Sequence, residues 1–408
     1  MKRLYLLLLL ALTLTAQAQL DANRISVMGS SVANGVGAKE QKGYASMYND
    51  LLAERYASQV SPNPFYTSNI SVNGNSSLNL LARYDDLQRD KGKYVIYGIS
   101  LGNEGIHAAR DYHAIFNQYH DNMLKLIAMA RAEGKIPVVM NNYTRTDFTP
   151  AEYSYIKELN RLMGYWDVPT VNLLGAIDNG RGQWAPGYGN GFDIYHPNTD
   201  GHREFFYAMV PSLFDALASG KPLTMDRTKQ TEGRALKNGT TIMFEPEGTV
   251  HSFTLALTAE ADGLLANIYA ADHSLWSIVR QGDKYVLRHD DADVLAVPAP
   301  AGLAEIYLSQ NYAIKRLTLN VNGHEAETTA AFAPVSIVIG GHRASDIRVG
   351  ELMFYRSSMH TLSPFASDQL FKSSLELYSS LAPDTPFGPL PNAAMSTAAA
   401  RLAVPVRR

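Results

Sequence analysis

Two short segments hold residues able to do acyl-transfer chemistry. The first is Met28-Gly29-Ser30-Ser31-Val32, which ends the first apolar run after the amino terminus. A serine on a sharp exit from a sheet can act as a nucleophile, because ligands of open α/β sheets bind at the carboxyl ends of strands. The same dipeptide in a Gly-containing turn is also ordinary turn chemistry. The second segment is Phe192-Asp193-Ile194-Tyr195-His196-Pro197-Asn198. Histidine is the side chain best placed to take a proton from serine near neutral pH. Asp193, three residues before His196, could hold the imidazole in one tautomer and stabilise the imidazolium that forms. An exposed His in a Pro-containing loop is the plainer alternative.

Acyl transfer also needs donors where the carbonyl oxygen turns negative. Asn73-Gly74-Asn75 could offer the Gly74 N–H at a helix start, with no side chain in the way, and Leu101-Gly102-Asn103-Glu104 could offer the Asn103 amide. Each is weak alone, but four polar loops at strand ends of one sheet can converge on one point. A metal site is a competing reading, since Asp193, His196, Asp200 and His202 fall close together. Asp200-Gly201-His202 also reads as a helix start, which capping explains. No H-E-x-x-H spacing supports a metal, and no cofactor is expected.

The elements that must position these residues alternate in type from Arg24 to about Leu217. Strands are expected at Ile25–Met28, Tyr94–Tyr97, Ile136–Met140 and Val168–Leu174. Helices are expected at Tyr44–Tyr56, after Gly74, from Tyr112 to Glu133, from Pro150 to about Gly164, and from Asp200 to about Ser219. Thr149 supplies an N-cap to the helix that opens with Pro150. Strand-helix repetition implies an α/β domain with a parallel sheet and helices on both faces. Residues 219–239 read as a linker. From Thr240 to Tyr355 roughly ten short strands of period two imply a β-sandwich, and Asn322-Gly323 is a hairpin turn. Ser367 to about Leu381 reads as an amphipathic helix, and the Pro- and Ala-rich end from Pro383 to Arg408 as poorly ordered.

The four blocks together, Gly29-Ser30-Ser31, Gly74, Gly102-Asn103 and Asp193-Ile194-Tyr195-His196, resemble the SGNH (GDSL-like) hydrolase superfamily over about residues 24–218. The resemblance implies a flavodoxin-like three-layer domain and a serine esterase. It makes Ser31 the nucleophile, His196 the base, Asp193 its orienting partner, and the Ser31 N–H, Gly74 and Asn103 the oxyanion donors. Two positions depart from the pattern: Ser30 replaces the usual acidic residue, and Glu104 the usual Asp. An α/β-hydrolase fits less well, because its nucleophile elbow follows several strands and Ser31 follows the first. Ile347–Tyr355 is similar to the last strand of concanavalin A-like (laminin G-type) jelly rolls, which makes residues 240–357 such a sandwich, either one that binds glycan or, the reading favoured, a structural sandwich packed on the first domain.

Composition bounds the rest. A chain of 408 residues exceeds one domain of about 100–200 residues. A net charge of -3 gives no general attraction to nucleic acid, and no cysteine is present for disulfides or thiol chemistry. Lys2 and Arg3, an apolar run to Thr15 and Ala16-Gln17-Ala18 read as a signal peptide over residues 1–18. Export to a bacterial periplasm or beyond is therefore expected, and no apolar run reaches the roughly 20 residues of an integral membrane helix. Trp184 and Tyr188, in a Gly/Pro-rich loop before the Asp-His segment, are candidate sugar-stacking residues, or fold back onto the domain. The expected substrate is an acylated carbohydrate or other small ester. A lipid or aryl esterase, a metal-dependent hydrolase, or a noncatalytic glycan-binding protein are the alternatives.

Overall fold

The computed structural model describes residues 19–341, 346–359 and 362–404. The expected signal peptide lies outside them. The first half builds a parallel sheet from β1 (Asp21–Gly29), β2 (Tyr66–Asn69), β3 (Gly92–Gly98), β4 (Ile136–Met140) and β5 (Thr170–Val171), in the order β2-β1-β3-β4-β5. This is the flavodoxin-like order, whose direction of winding reverses between β1 and β3. Ser31 follows β1 and Asn103 follows β3, so both emerge at that crevice.

The central strands are apolar on both faces because both are covered. Ile25, Val27, Ile96 and Val138 pack with Tyr44, Tyr48, Phe205 and Phe214 on one side. Met28, Val95, Tyr97 and Val139 pack with Leu87, Tyr119, Met123 and Ile156 on the other. The covering helices are α1 (Tyr44–Ala57), α2 (Ser77–Ala82), α3 (Tyr84–Asp90), α4 (Tyr112–Ala132), α5 (Pro150–Met163), α6 (Leu174–Ile177), α7 (Thr199–Tyr207) and α8 (Leu213–Ala218). Thr149 and Glu152 form a capping box at the start of α5. The single helix expected from Asp200 to Ser219 is two, parted around Pro211, which lacks the N–H that a continuous helix needs. The strand expected from Val168 to Leu174 shrinks to β5, because Leu174 already begins α6.

Between these helices a two-stranded hairpin, β6 (Gly189–Asn190) with β7 (Asp193–Pro197), carries the Asp-His segment. The second half is a sandwich of two antiparallel sheets. Its strands are β8 (Arg234–Leu236), β9 (Thr241–Phe244), β10 (Phe253–Ala261), β11 (Leu264–Ala270), β12 (Leu275–Gln281), β13 (Lys284–His289), β14 (Ala292–Pro298) and β15 (Ala304–Asn311). They continue with β16 (Arg316–Val321), β17 (His324–Thr329), β18 (Pro334–Gly340), β19 (Ile347–Tyr355), β20 (Leu375–Ser380), β21 (Gly388–Pro389) and β22 (Arg401–Ala403). One sheet runs β17-β16-β15-β10-β19-β20 with β8 beside β19, and the other β14-β13-β12-β11-β18-β9-β22-β21. Asn322 and Gly323 turn β16 into β17 at φ 49° and 85°, as a type I′ turn requires.

Three expectations about the second half fail. The helix expected over Ser367–Leu381 does not form: residues 367–374 are irregular and Leu375–Ser380 is β20, which pairs along the edge of β19. The described part of the tail, 383–404, is ordered: Ala398, Ala400 and Leu402 lie in the sandwich core and Met395 in the core of the first domain. Nor is 219–239 a free linker, since β8 joins the sheet and Arg227 forms a buried ion pair with Glu351 at 2.7 Å. The two halves are also bonded to each other. Asn172 N–H donates to Ser374 Oγ (2.8 Å), Asn311 Nδ2 to the Asp178 carbonyl (2.6 Å), and Arg356 Nε to the Tyr207 carbonyl (2.8 Å).

Candidate active site

The turn after β1 depends on a close approach of two strand ends. A Cβ on Gly29 would stand 2.1 Å from the Gly98 carbonyl oxygen, so only glycine lets β1 and β3 end side by side. Ser30 N–H then bonds that carbonyl at 3.1 Å, and the chain turns through residues 31–37 with Val36 N–H returning to Ser31 O at 3.0 Å. Ser30 is buried and Ser31 half-buried, so the second serine is the one presented to the crevice.

His196 Nε2 lies 2.8 Å from Ser31 Oγ, and His196 Nδ1 lies 2.6 Å from Asp193 Oδ2. The Tyr195 N–H donates to the other carboxylate oxygen at 3.0 Å. Partial burial pushes the Asp193 carboxyl up, but the hydrogen bonds from the His196 ring and the Tyr195 N–H outweigh it and hold it below the usual carboxylate range. An ionised carboxylate only accepts, so Nδ1 carries the proton and Nε2 is left to accept from the Ser31 hydroxyl. Tautomer and function follow from one another: this is the form in which imidazole can take a proton from serine.

Asn103 and Gly74 sit on loops tied to the same turn. The Asn103 amide Nδ2 donates to Ser30 Oγ at 2.9 Å, and Tyr143 OH reaches Asn103 Oδ1 at 3.4 Å. An amide has two N–H groups, so this bond orients Asn103 and leaves one donor over. Ser30 thereby has a positioning contact of its own. Gly74 sits at φ 76° with open space around its Cβ position, so backbone conformation, not crowding, calls for glycine. Its loop is held by Asn34 Nδ2 donating to Asn73 Oδ1 (2.9 Å) and by Val72 N–H donating to Gly29 O (3.1 Å). Glu104 ties the two donor loops together, accepting from the Ser77 N–H at 2.6 Å and the Ser77 hydroxyl at 3.1 Å. Burial pushes the Glu104 carboxyl up, and these two bonds pull it partly back.

The remaining sequence candidates separate. His202 is buried, receives the Tyr44 N–H at Nδ1 (3.4 Å) and approaches the Val36 carbonyl with Nε2 (2.9 Å). Burial lowers its pKa to about 4, so it is a neutral strut beneath the serine turn. Asp200 turns away to Arg203 at 2.5 Å. Asp193, His196, Asp200 and His202 therefore do not converge, and among the described residues no group of three or more His, Cys, Asp or Glu is arranged for a metal ion. Trp184 does not face solvent: it is 7% exposed, stacks on Tyr143 at 6.1 Å and donates Nε1 to the Ile194 carbonyl. Tyr188 is half-buried, its hydroxyl pushed up to about 12 by that burial. Both brace the hairpin from behind.

The exposed aromatics lie on the hairpin itself, where sequence reading missed them. Phe192 is fully exposed beside Asp193, and Tyr195 is 49% exposed. The Arg145 guanidinium lies 4.4 Å from the Tyr195 ring centre and donates to the Gly102 carbonyl at 2.6 Å, linking the Asn103 loop to the Asp-His hairpin. The signal was Gly191-Phe192, an aromatic directly after a turn glycine at φ 61°.

Residues 27–204 match the GDSL-like Lipase/Acylhydrolase family, a span that includes the serine turn, both donor loops and the Asp-His hairpin. The N-terminal domain is a GDSL-like hydrolase domain. With that domain the chain is a carboxylic ester hydrolase. No curated protein matches the chain. Among solved structures the GDSL-like domain is similar to TesA, at 19% identity over 45% of this chain and 94% of the other, with a TM-score of 0.37. It is also similar to an acetylxylan esterase from Geobacillus stearothermophilus (15% identity, 46% and 93% covered, TM-score 0.36). A third is the psychrotrophic esterase EstA from Pseudoalteromonas sp. (17% identity, 48% and 98% covered, TM-score 0.36). Among the described residues no helix is long and apolar enough to cross a membrane.

Proposed function

We propose that the chain is an exported serine esterase that removes small acyl groups, acetyl above all, from carbohydrate. The observation that carries the mechanism is the unbroken hydrogen-bond chain from Ser31 through His196 to Asp193. Ser31 Oγ attacks the ester carbonyl while its proton passes to His196 Nε2. The negative oxygen of the tetrahedral intermediate is met by the N–H groups of Ser31 and Gly74 and the amide of Asn103. Collapse breaks the carbon–oxygen bond, and the leaving alkoxide takes the proton from His196. Water then attacks the acyl-serine, giving its proton to the same nitrogen, and the acid departs as Ser31 recovers its hydrogen.

Two features support a carbohydrate ester. The catalytic side chains are accessible, His196 at 16% and Asp193 at 31%, which suits an ester carried on a polymer. Phe192 and Tyr195 offer aromatic surface beside them, on which a sugar ring can stack. A concanavalin A-like sandwich attached to the domain fits the same substrate class, and the leader-like first residues fit a periplasmic or extracellular enzyme.

The experiment compares p-nitrophenyl acetate with longer-chain p-nitrophenyl esters, and then measures acetate release from acetylated polysaccharides. Preference for acetyl and release from polymer supports the reading. Preference for long acyl chains with no release from polymer overturns the carbohydrate assignment in favour of a lipid or aryl esterase.

A further inference from the structure

The loop from Asp178 to Tyr188 has two working faces. On one it braces the catalytic hairpin: the Gly182 carbonyl accepts from Arg145 N–H at 3.3 Å, Trp184 Nε1 donates to the Ile194 carbonyl at 3.3 Å, and the Gly187 carbonyl accepts from Asn198 Nδ2 at 2.7 Å. On the other face, Asn179, Arg181 and Pro186 form one wall of an open cleft of about 540 Å³. The opposite wall belongs to the sandwich. It comprises the turn that carries Lys315 and Arg316, and the end of the edge strand β17 with Thr328 and Thr329. The loop thus links this cleft, through Trp184 and Ile194, to the hairpin that carries His196.

The cleft is basic in an acidic chain. Arg181, Lys315 and Arg316 line it against one carboxylate, Glu327, while the whole chain carries -3. Glu327 Oε2 lies 3.5 Å from Arg316 Nε, and among the described residues neither Arg181 nor Lys315 has an ion-pair partner. Both are exposed. Lys315 sits at φ 54°, a conformation that glycine or asparagine adopts at lower cost. A Cβ on Gly180 would come within 3.2 Å of Arg316 Nη1, so the loop presses close to that guanidinium. The Thr329 hydroxyl, on the strand face shared by Arg316 and Glu327, adds a neutral donor and acceptor, while Asn179 Oδ1 already accepts the Arg181 and Gln183 N–H groups at 2.8 and 3.2 Å.

We propose that this cleft is a subsite for an acidic glycan, a hydroxyl-rich chain carrying carboxylates. This rests on the carbohydrate-esterase reading and deepens it. Carboxylates pair with Arg181, Lys315 and Arg316, and a sugar hydroxyl with Thr329. Nucleic acid is the poorer partner, because the cations cover one short cleft and the net charge of the chain is negative.

The probe is tetragalacturonate without ester groups, titrated calorimetrically into the full-length chain, with neutral xylotetraose and a thymidine oligonucleotide alongside. The inference expects tetragalacturonate to bind at least about tenfold more tightly than xylotetraose, since several exposed charge pairs act together. Affinity should fall when NaCl is raised to about 0.5 M. The double variant Arg181→Glu, Lys315→Glu, at exposed positions, should weaken binding about tenfold or more while the thermal midpoint is kept. Binding that ignores charge and salt, no binding of tetragalacturonate, or an unaltered double variant overturns the proposal. Tighter binding of the oligonucleotide than of the uronate overturns the glycan assignment. The salt series needs no variant, and the probe has no ester. Failure here would thus leave the esterase reading standing, and failure of that reading would leave this binding result readable.

Discussion

His196 Nε2 meets Ser31 Oγ at 2.8 Å across 165 residues of chain, and Asp193 meets the other side of the same ring from only three residues away. The long-range contact is a product of the sheet order, and the short one of a hairpin strand. Loss of Asp193 should therefore damage orientation without moving the ring out of reach. Asp193→Asn should lower kcat on p-nitrophenyl acetate by about 10³–10⁴, since the amide favours the wrong tautomer. The carboxyl is held below its unfolded pKa, so its stabilising contribution is full above about pH 4 and is lost as pH falls. Thermal midpoints of wild type and Asp193→Asn should converge below that pH. A constant gap down to pH 3 would mean that the carboxylate is not what the variant lost.

Asn103 and Ser30 should separate donor from support. Asn103→Ala should lower kcat by about 10²–10³ if its amide meets the developing oxyanion. Ser30→Ala removes only the bond that orients that amide, and a smaller loss of about 2–10-fold is expected. Equal losses, or a fall in stability with kcat intact, would place Asn103 in a purely structural turn.

His202 gives the fold a dependence on acid. Its pKa is lowered from 6.5 to about 4 by burial, so the unfolded chain binds more protons than the folded one between those values. Stability is full above about pH 6.5 and declines as pH drops toward 4, by at most about 3 kcal/mol from this group. Urea midpoints at pH 5 and pH 7 should differ in the wild type and draw together in His202→Gln. An unchanged difference would assign the acid sensitivity elsewhere.

The carboxyl-terminal residues bear on whether the first domain stands alone. Met395 lies in its core, Ser374 Oγ accepts the Asn172 N–H, and Ser212 Oγ accepts the Thr397 N–H at 2.7 Å. A chain ending near residue 220 should be insoluble or lack a cooperative unfolding transition, because those apolar and polar groups lose their partners. A soluble truncated protein with full activity on p-nitrophenyl acetate would show that the sandwich is dispensable to folding.

Local chemistry was legible in the sequence, and long-range pairing was not. The serine turn, Gly74, Asn103 and Asp193-x-x-His196 declare themselves through residue type, and the alternation of strands and helices is enough to imply a parallel sheet. β2 was missed because Tyr66-Thr67-Ser68-Asn69 is a short, half-exposed edge strand without an apolar face. β20 was mistaken for a helix because Phe371, Leu375 and Tyr378 fall near helical spacing, and only the waiting edge of β19 decides otherwise. Trp184 could not be told from a sugar platform, since its burial depends on Tyr143 and Phe205, far away in sequence.

The most direct test of the serine mechanism is covalent labelling of Ser31. A serine-directed organophosphate, followed by peptide mass spectrometry, should place a single adduct on Ser31 in the wild type. Ser31→Ala should carry no adduct and bring ester hydrolysis close to background, and adding His196→Ala should make it hardly worse, because residues acting as a unit are not additive. An adduct on another residue, or full hydrolysis by an unlabelled Ser31→Ala protein, would contradict the account.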